Sequence, residues 1–206
     1  MRLIAAVCLC VCAAGSASAS IINGGFELPG TGFQSVSPGQ TFGGWTCAGP
    51  NGIEFVHATP NAQLPGLEFS AYEGSYWIDL TGVGAPSGIY QDVTTAANTL
   101  YEVTFAMAGN VWSGPQVMNL NVLWNDALAG SFSHSTAGRS GADMGWTLHS
   151  VTVLGTGLDR LRFQGLSGAA AAGVAIDAVS IRVVPAPAGV AGLAMGCLMA
   201  SRRRRA

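Results

Sequence analysis

The chain has 206 residues, 29 of them glycine, with 49% hydrophobic residues and a formal net charge of −2 at pH 7. That length suits one domain with accessory segments and is enough to bury a sizeable core. All nine basic residues are arginine, and five of them lie at the two ends, so residues 20–184 hold four arginines against eleven acids, a net of −7. A body that acidic offers no basic stripe for phosphates, which argues against nucleic-acid binding.

Residues 1–19 run from Arg2 through Leu3, Ile4, Val7 and Leu9 to Ala17-Ser18-Ala19, the pattern of a secretory signal with an Ala-x-Ala cleavage site. Maturation is expected at Ser20. Cys8, Cys10 and Cys12 leave with that signal and Cys197 lies in the tail, so Cys47 is the one thiol of the body. An internal disulfide is therefore impossible, and Cys47 reads as a small half-buried side chain.

From Ile21 to about Val184, short runs rich in Val, Ile, Tyr, Phe and Trp alternate with Gly, Pro, Ser, Asn and Thr clusters. No amphipathic helix interrupts them. The pattern predicts an all-β, two-sheet antiparallel jelly-roll sandwich over residues 20–184. Strands are predicted at 53–57, 75–80, 87–93, 100–108, 118–124, 128–132, 146–154, 159–163 and 174–183.

Alternation is cleanest in three places: Tyr101, Val103, Phe105 and Met107 share one face; Met118, Leu120, Val122 and Trp124 lie opposite Asn119 and Asn121; Leu161 and Phe163 alternate with Arg160 and Arg162. Each such strand has a wet face and a core face. The phase slips between Leu148 and Val151, which predicts a bulge there. The small-residue run 168–173 reads as a flexible loop before the last strand.

In that last strand, simple alternation places Asp177 in phase with Val179, Ile181 and Val183, an acid at the edge of an apolar layer. A buried charge is expensive, so Asp177 needs a cation, hydrogen-bond donors or an open sheet end. The turn-rich segment Asn23-Gly24-Gly25-Phe26-Glu27 delivers a second acid at the other end of the body. The two ends are expected to meet, with Glu27 and Asp177 sharing one structural calcium site.

Residues 185–206 form a separate object: Pro185, Ala186 and Pro187, an apolar run to Ala200, Ser201, then Arg202, Arg203, Arg204 and Arg205. As a helix, the fifteen residues 186–200 would span about 22 Å, short of a hydrocarbon core of about 30 Å. This suits a segment that enters the membrane transiently, its arginines held at the cytoplasmic face and the body outside.

That tail resembles a PEP-CTERM-type sorting signal, with Ala186 where the type motif has Glu. The resemblance implies recognition by an exosortase-like membrane processing enzyme, and a destination at the cell surface or extracellular matrix of a bacterium. The body is similar to the choice-of-anchor C family, related to the plant cell-wall proteins grouped as domain of unknown function 642. The matching pieces are residues 23–27, Gly43-Gly44-Trp45, Glu73-Gly74-Ser75, Ile78-Asp79-Leu80, Tyr101 to Phe105 running on to Gly109-Asn110, Met144-Gly145-Trp146, and Ile176-Asp177 leading to Val179-Ser180. This similarity implies a galactose-binding-like fold and a polysaccharide ligand. It also implies a structural calcium ion between the first segment and the last strand, carried over onto Glu27, Asp177 and Glu73, with carbonyls from Gly25 and Ser75.

Aromatic rings are the natural platform for sugars, because a pyranose stacks its C–H face on them while its rim takes hydrogen bonds. Trp45, Trp124 and Trp146 sit in motif or core phase and read as structural. Trp112 follows Gly109-Asn110 in a loop with Gly114-Pro115, so Trp112, Asn110 and Tyr72 form the expected ligand-facing set. His57, His134 and His149 have no metal-ligand spacing, and neither a nucleophile elbow nor a phosphate loop occurs. A glycosidase would need two carboxylates across a cleft, and no motif asks for them. The reading is a non-catalytic, surface-sorted carbohydrate-binding domain; its rival is a structural or self-associating matrix protein.

Overall fold

The computed structural model describes residues 18–30, 32–58, 69–82, 84–112, 116–169 and 172–185. The signal through Ala17, and Pro187 and Arg202 to Arg205 of the tail, lie outside the described residues. In chain order the strands are β1 (Gln34–Val36), β2 (Thr41–Phe42), β3 (Trp45–Ala48), β4 (Ile53–His57), β5 (Tyr76–Asp79), β6 (Gly88–Thr94) and β7 (Leu100–Gly109). They continue as β8 (Val117–Trp124), β9 (Ala127–Ser135), β10 (Thr147–Leu154), β11 (Leu158–Gly165), β12 (Gly168–Ala169) and β13 (Ala172–Val183). No helix occurs among the described residues.

The strands form two antiparallel sheets. The first runs β1-β4-β5-β13-β7-β10 with β12 paired onto β13, and the second runs β2-β3-β6-β11-β8-β9. All nine predicted strands are present; β1, β2, β3 and β12 are additional and only two to four residues long. Between the sheets lies the main core, in which Phe163 touches both Trp45 (centroids 6.1 Å apart) and Phe105 (5.1 Å). Two indoles of this core have their donors satisfied: Trp45 donates to the Asn23 carbonyl at 3.1 Å and Trp124 to that of Leu154 at 2.9 Å, whereas the Nε1 of Trp77, on the outer side of the first sheet, is buried without an acceptor among the described residues. Cys47 is buried in this core, and burial pushes its thiol pKa up. Ala19, the last residue of the expected signal, is buried against the same cluster.

The two sheets differ on their outer faces. In the first, β4, β5 and much of β13 are buried on both sides, because a second cluster of Val56, Phe69, Trp77, Ala108, Met144 and Ala175 covers the outer surface. In the second sheet, β6, β8 and β11 alternate buried with half-buried or exposed positions, so one face is core and the other is open.

Three expectations need correction. β10 pairs with β7 without a break from Thr147 to Leu154, so no bulge separates Leu148 from Val151; Leu148 simply points outward. Register shifts fall instead between Val122 and Leu123 and between Asp177 and Ser180. The 168–173 run is not merely a loop, since Gly168 and Ala169 pair with Gly173 and Ala172. The bulge in β13 also inverts the expected phase: Ala178 takes φ 50°, Val174, Ile176 and Val179 enter the main core, and Asp177 falls on the outer side.

Candidate functional site

The ends of the body do meet. Residues 23–27 turn tightly, with Asn23 and Phe26 at φ 52° and 55°, and the Asn23 side chain both donates to the Leu28 carbonyl and accepts its N–H, each at 3.0 Å. Gly24 lies on the bulge of β13, its carbonyl accepting the Val179 N–H at 2.9 Å. A methyl group at Gly24 would stand 1.9 Å from the Val179 oxygen, so only glycine fits.

Three carboxylates gather at this junction. Asp177, fully buried, accepts N–H bonds from Tyr72 (2.9 Å), Glu73 (3.0 Å) and Ala178 (2.7 Å). Glu27 accepts those of Ser75 (2.8 Å) and Tyr76 (3.1 Å) through Oε1. Glu73 packs against Gly25. Burial pushes the Asp177 carboxyl up to about 7, against the pull of its backbone donors, and the charge of Glu73 adds to the rise. None of the three joins an ion pair among the described residues, where the pairs are Arg139–Asp143, Arg160–Asp92 and Arg182–Glu102. The donor set is all oxygen and acidic, which suits a hard cation. It is not a finished cage: among the described residues no three Asp, Glu, His or Cys side chains form a metal-binding group, and five N–H donors already hold two of the acids.

A second acid pair lies on the outer side of the first sheet, where Glu54 of β4 stands opposite Asp79 of β5. Asp79 accepts the Thr81 N–H at 2.7 Å, the Gly173 N–H at 3.1 Å and the Asn110 side-chain amide at 2.7 Å. Burial raises Asp79 to about 7; burial and then the charge of Asp79 raise Glu54 to about 8. This corrects one expected site residue. Asn110 is buried, its Nδ2 donating to Asp79 and its Oδ1 accepting the Trp112 N–H at 3.0 Å, so it positions the loop from beneath the surface.

Trp112 and Tyr72 are exposed, at 47% and 41%. Tyr72 leans edge-on against Trp146 (6.4 Å), whose indole donates to the Ser70 carbonyl, and Val111 packs on the same outer cluster. Both rings therefore flank the covered side of the first sheet. Pro185 is exposed beyond the end of β13.

The open face of the second sheet was not singled out as a site, although the alternation of Asn119 and Asn121, and of Arg160 and Arg162, announced a wet surface. Strand register builds it as rows. Thr46, Tyr90, Arg162 and Leu123 form one; Ala48, Gly88, Gln164, Asn121 and Ser131 form the next. Ser131 donates to Asn121 at 2.7 Å, while Arg160 binds Asp92 through two bonds of 2.7 and 2.9 Å and lies 4.0 Å above the Tyr90 ring. A shallow pocket of about 290 Å³ between Asp92, Asn125, Asp126 and Arg160 ends the face. The surface is a flat lattice of amide, hydroxyl and guanidinium groups around one phenol.

Two antiparallel sheets packed face to face, with the first segment latched onto the last strand, define the class: this is an all-β jelly-roll sandwich. The fold is similar to that of TmCBM61, solved in complex with β-1,4-galactotriose, with a TM-score of 0.50 and 19% identity over 79% of this chain and 96% of that one. It is also similar to the CBM22-1 xylan-binding domain of Xyn10C from Paenibacillus barcinonensis (TM-score 0.46, 20% identity, 75% and 94% covered) and to a family 35 carbohydrate-binding module from Clostridium thermocellum (0.41, 15%, 66% and 96%). No curated protein matches the chain at a significant level. The chain belongs to the DUF642 family, described as a protein of unknown function, whose model matches residues 19–182.

Proposed function

We propose that this protein is an exported, non-catalytic carbohydrate-binding domain that holds extracellular or cell-envelope polysaccharide on the open face of its second sheet. The observation that carries the reading is the contrast between the two outer faces. One is sealed by a second apolar cluster, and the other is left as an ordered polar lattice around Tyr90. Sugars are bound by this combination, with a ring on the aromatic group and hydroxyls on amides and guanidinium. Glu54 and Asp79, facing each other across two strands, are 5% and 0% exposed, out of reach of a glycosidic bond. That favours binding without turnover.

Two further assignments belong to the same reading. Trp112 and Tyr72, at the rim of the first sheet, form a second contact for a long chain. A structural calcium ion at the junction, held by Glu27, Glu73 and Asp177 with backbone carbonyls, would offset the crowding of acid there. Export through residues 1–19, choice-of-anchor C membership and surface sorting by Pro185, Pro187 and the Arg202 to Arg205 cluster, through an exosortase-like enzyme, complete the proposal. Affinity electrophoresis in gels containing soluble polysaccharides tests it. Tyr90→Ala should lose retardation with its melting temperature within about 2 °C of the parent, while Trp112→Ala and Tyr72→Ala report the rim contact. Retardation unchanged in Tyr90→Ala would remove the sheet face from the reading.

A further inference from the structure

We infer that the open face of the second sheet selects acidic sugars, and that Arg162 is the group that takes the sugar carboxylate. This rests on the glycan reading above and adds the chemical class of ligand.

The argument begins with charge. Four arginines lie in the described body, and three are neutralised: Arg139 by Asp143 at 3.4 Å, Arg160 by Asp92 at 2.7 Å, and Arg182 by Glu102 at 2.6 Å. Arg162 has no carboxylate partner among the described residues, and its Nε is buried without a hydrogen-bond acceptor. A guanidinium on an open sheet face that no carboxylate among the described residues neutralises is a group that an arriving anion pairs with. Its planar fork matches a carboxylate in two parallel bonds, which a lysine ammonium does not reproduce.

Position comes next. Arg162 occupies the middle of the lattice, between Tyr90 of β6 and Leu123 of β8, with Gln164 two residues along its own strand and Asn121 opposite Gln164. Next to Tyr90 along β6 the row is Ala48, Gly88 and Gln164; Gly88 is buried against the neighbouring backbone, so Gln164 is the polar side chain nearest the ring on that side. The other side is taken by Arg160, which braces Tyr90 while itself held by Asp92. A sugar can therefore lie on the face beside Tyr90, its carboxylate on Arg162 and its hydroxyls on Gln164 and Asn121.

Electrostatics favour this place over the rest of the molecule. The acids near the face are Asp92, already paired, and Asp126 and Asp159, which line the pocket at the Arg160 end, Asp159 being held by Thr95, Asn125 and Thr156. The body as a whole is strongly acidic, so a polyanion is repelled elsewhere and held here by short-range pairing.

The test compares three polymers against the full chain: polygalacturonate, its fully methyl-esterified form with the carboxylates capped, and neutral β-1,4-galactan. The parent should bind polygalacturonate at least about tenfold more tightly than the ester. Arg162→Gln should lose about tenfold on polygalacturonate and nothing on the neutral polymer; Arg162→Lys should recover only part of the loss. Equal binding of acid and ester by the parent overturns the inference and needs no variant, and so does an unaffected Arg162→Gln. In either case binding to neutral galactan would leave the glycan reading standing. Failure to bind any of the three removes that reading and this inference with it.

Discussion

Replacing Gly24 by alanine tests the latch that joins the first segment to the last strand. The added methyl would stand 1.9 Å from the Val179 oxygen, 2.9 Å from its carbonyl carbon and 3.3 Å from Ile21 Cγ2. The first of these is backbone, so the chain has to part by more than about 1 Å to restore an ordinary contact. That movement breaks the 2.9 Å bond from the Val179 N–H to the Gly24 carbonyl, and it displaces the turn that seats Phe26 in the core. Overpacking costs about 1–3 kcal/mol and the lost hydrogen bond about 1 kcal/mol. Together they amount to roughly 2–4 kcal/mol, or about 5–15 °C in melting temperature for a domain of this size. Gly39→Ala is the comparison, since nothing lies within 4 Å of its added methyl and only its φ of 80° is strained, worth about 1–2 kcal/mol. Thermal unfolding followed by near-ultraviolet circular dichroism should rank Gly24→Ala below Gly39→Ala. Equal losses would refute the latch.

Two more outcomes follow from the buried acids. The carboxyls of Glu54, Asp79 and Asp177 are raised to about 8, 7 and 7, so the folded chain keeps protons that the unfolded chain releases above about pH 4. Their contribution to stability is fully present below pH 4 and is lost as pH rises through 7 to 8; Asp159, which its hydrogen-bond donors hold down to about 2, works in the opposite sense, losing its contribution as pH falls through that value. Urea unfolding in EDTA should therefore show higher stability at pH 5 than at pH 8, with a shallower slope in Glu54→Gln; a flat profile would sink the assignment. Calcium is tested at pH 7.5, where added ion should raise the melting temperature of the parent and not that of Glu27→Gln, and where no response in the parent would leave Glu27 and Asp177 as acceptors of backbone N–H groups alone.

The parts legible in the sequence were those with a period. Two-residue alternation in β7, β8 and β11 announced the sandwich and its wet surfaces, because burial of one face writes itself into composition. β2 and β3 escaped because they are two and four residues long and carry threonine and glycine turns around them. Asp177 was found for a reason that does not survive: Ala178 enters the left-handed region without any compositional mark, and one bulge moves the acid to the other side of the sheet. Its donors, Tyr72 and Glu73, come from over a hundred residues away. Asn110 misled because a polar residue after a strand looks the same whether it caps a loop or meets a ligand.

Arg162 shows most sharply where pattern stops and register begins. In the sequence Arg160 and Arg162 are equivalent, two cations on the wet face of one strand. Antiparallel pairing sets Arg160 against Asp92 and Arg162 against Tyr90, so one arginine is neutralised by its cross-strand neighbour and the other is not. Sliding β6 by two residues would exchange their roles without altering a single hydrophobic position. The free guanidinium is thus a product of strand alignment.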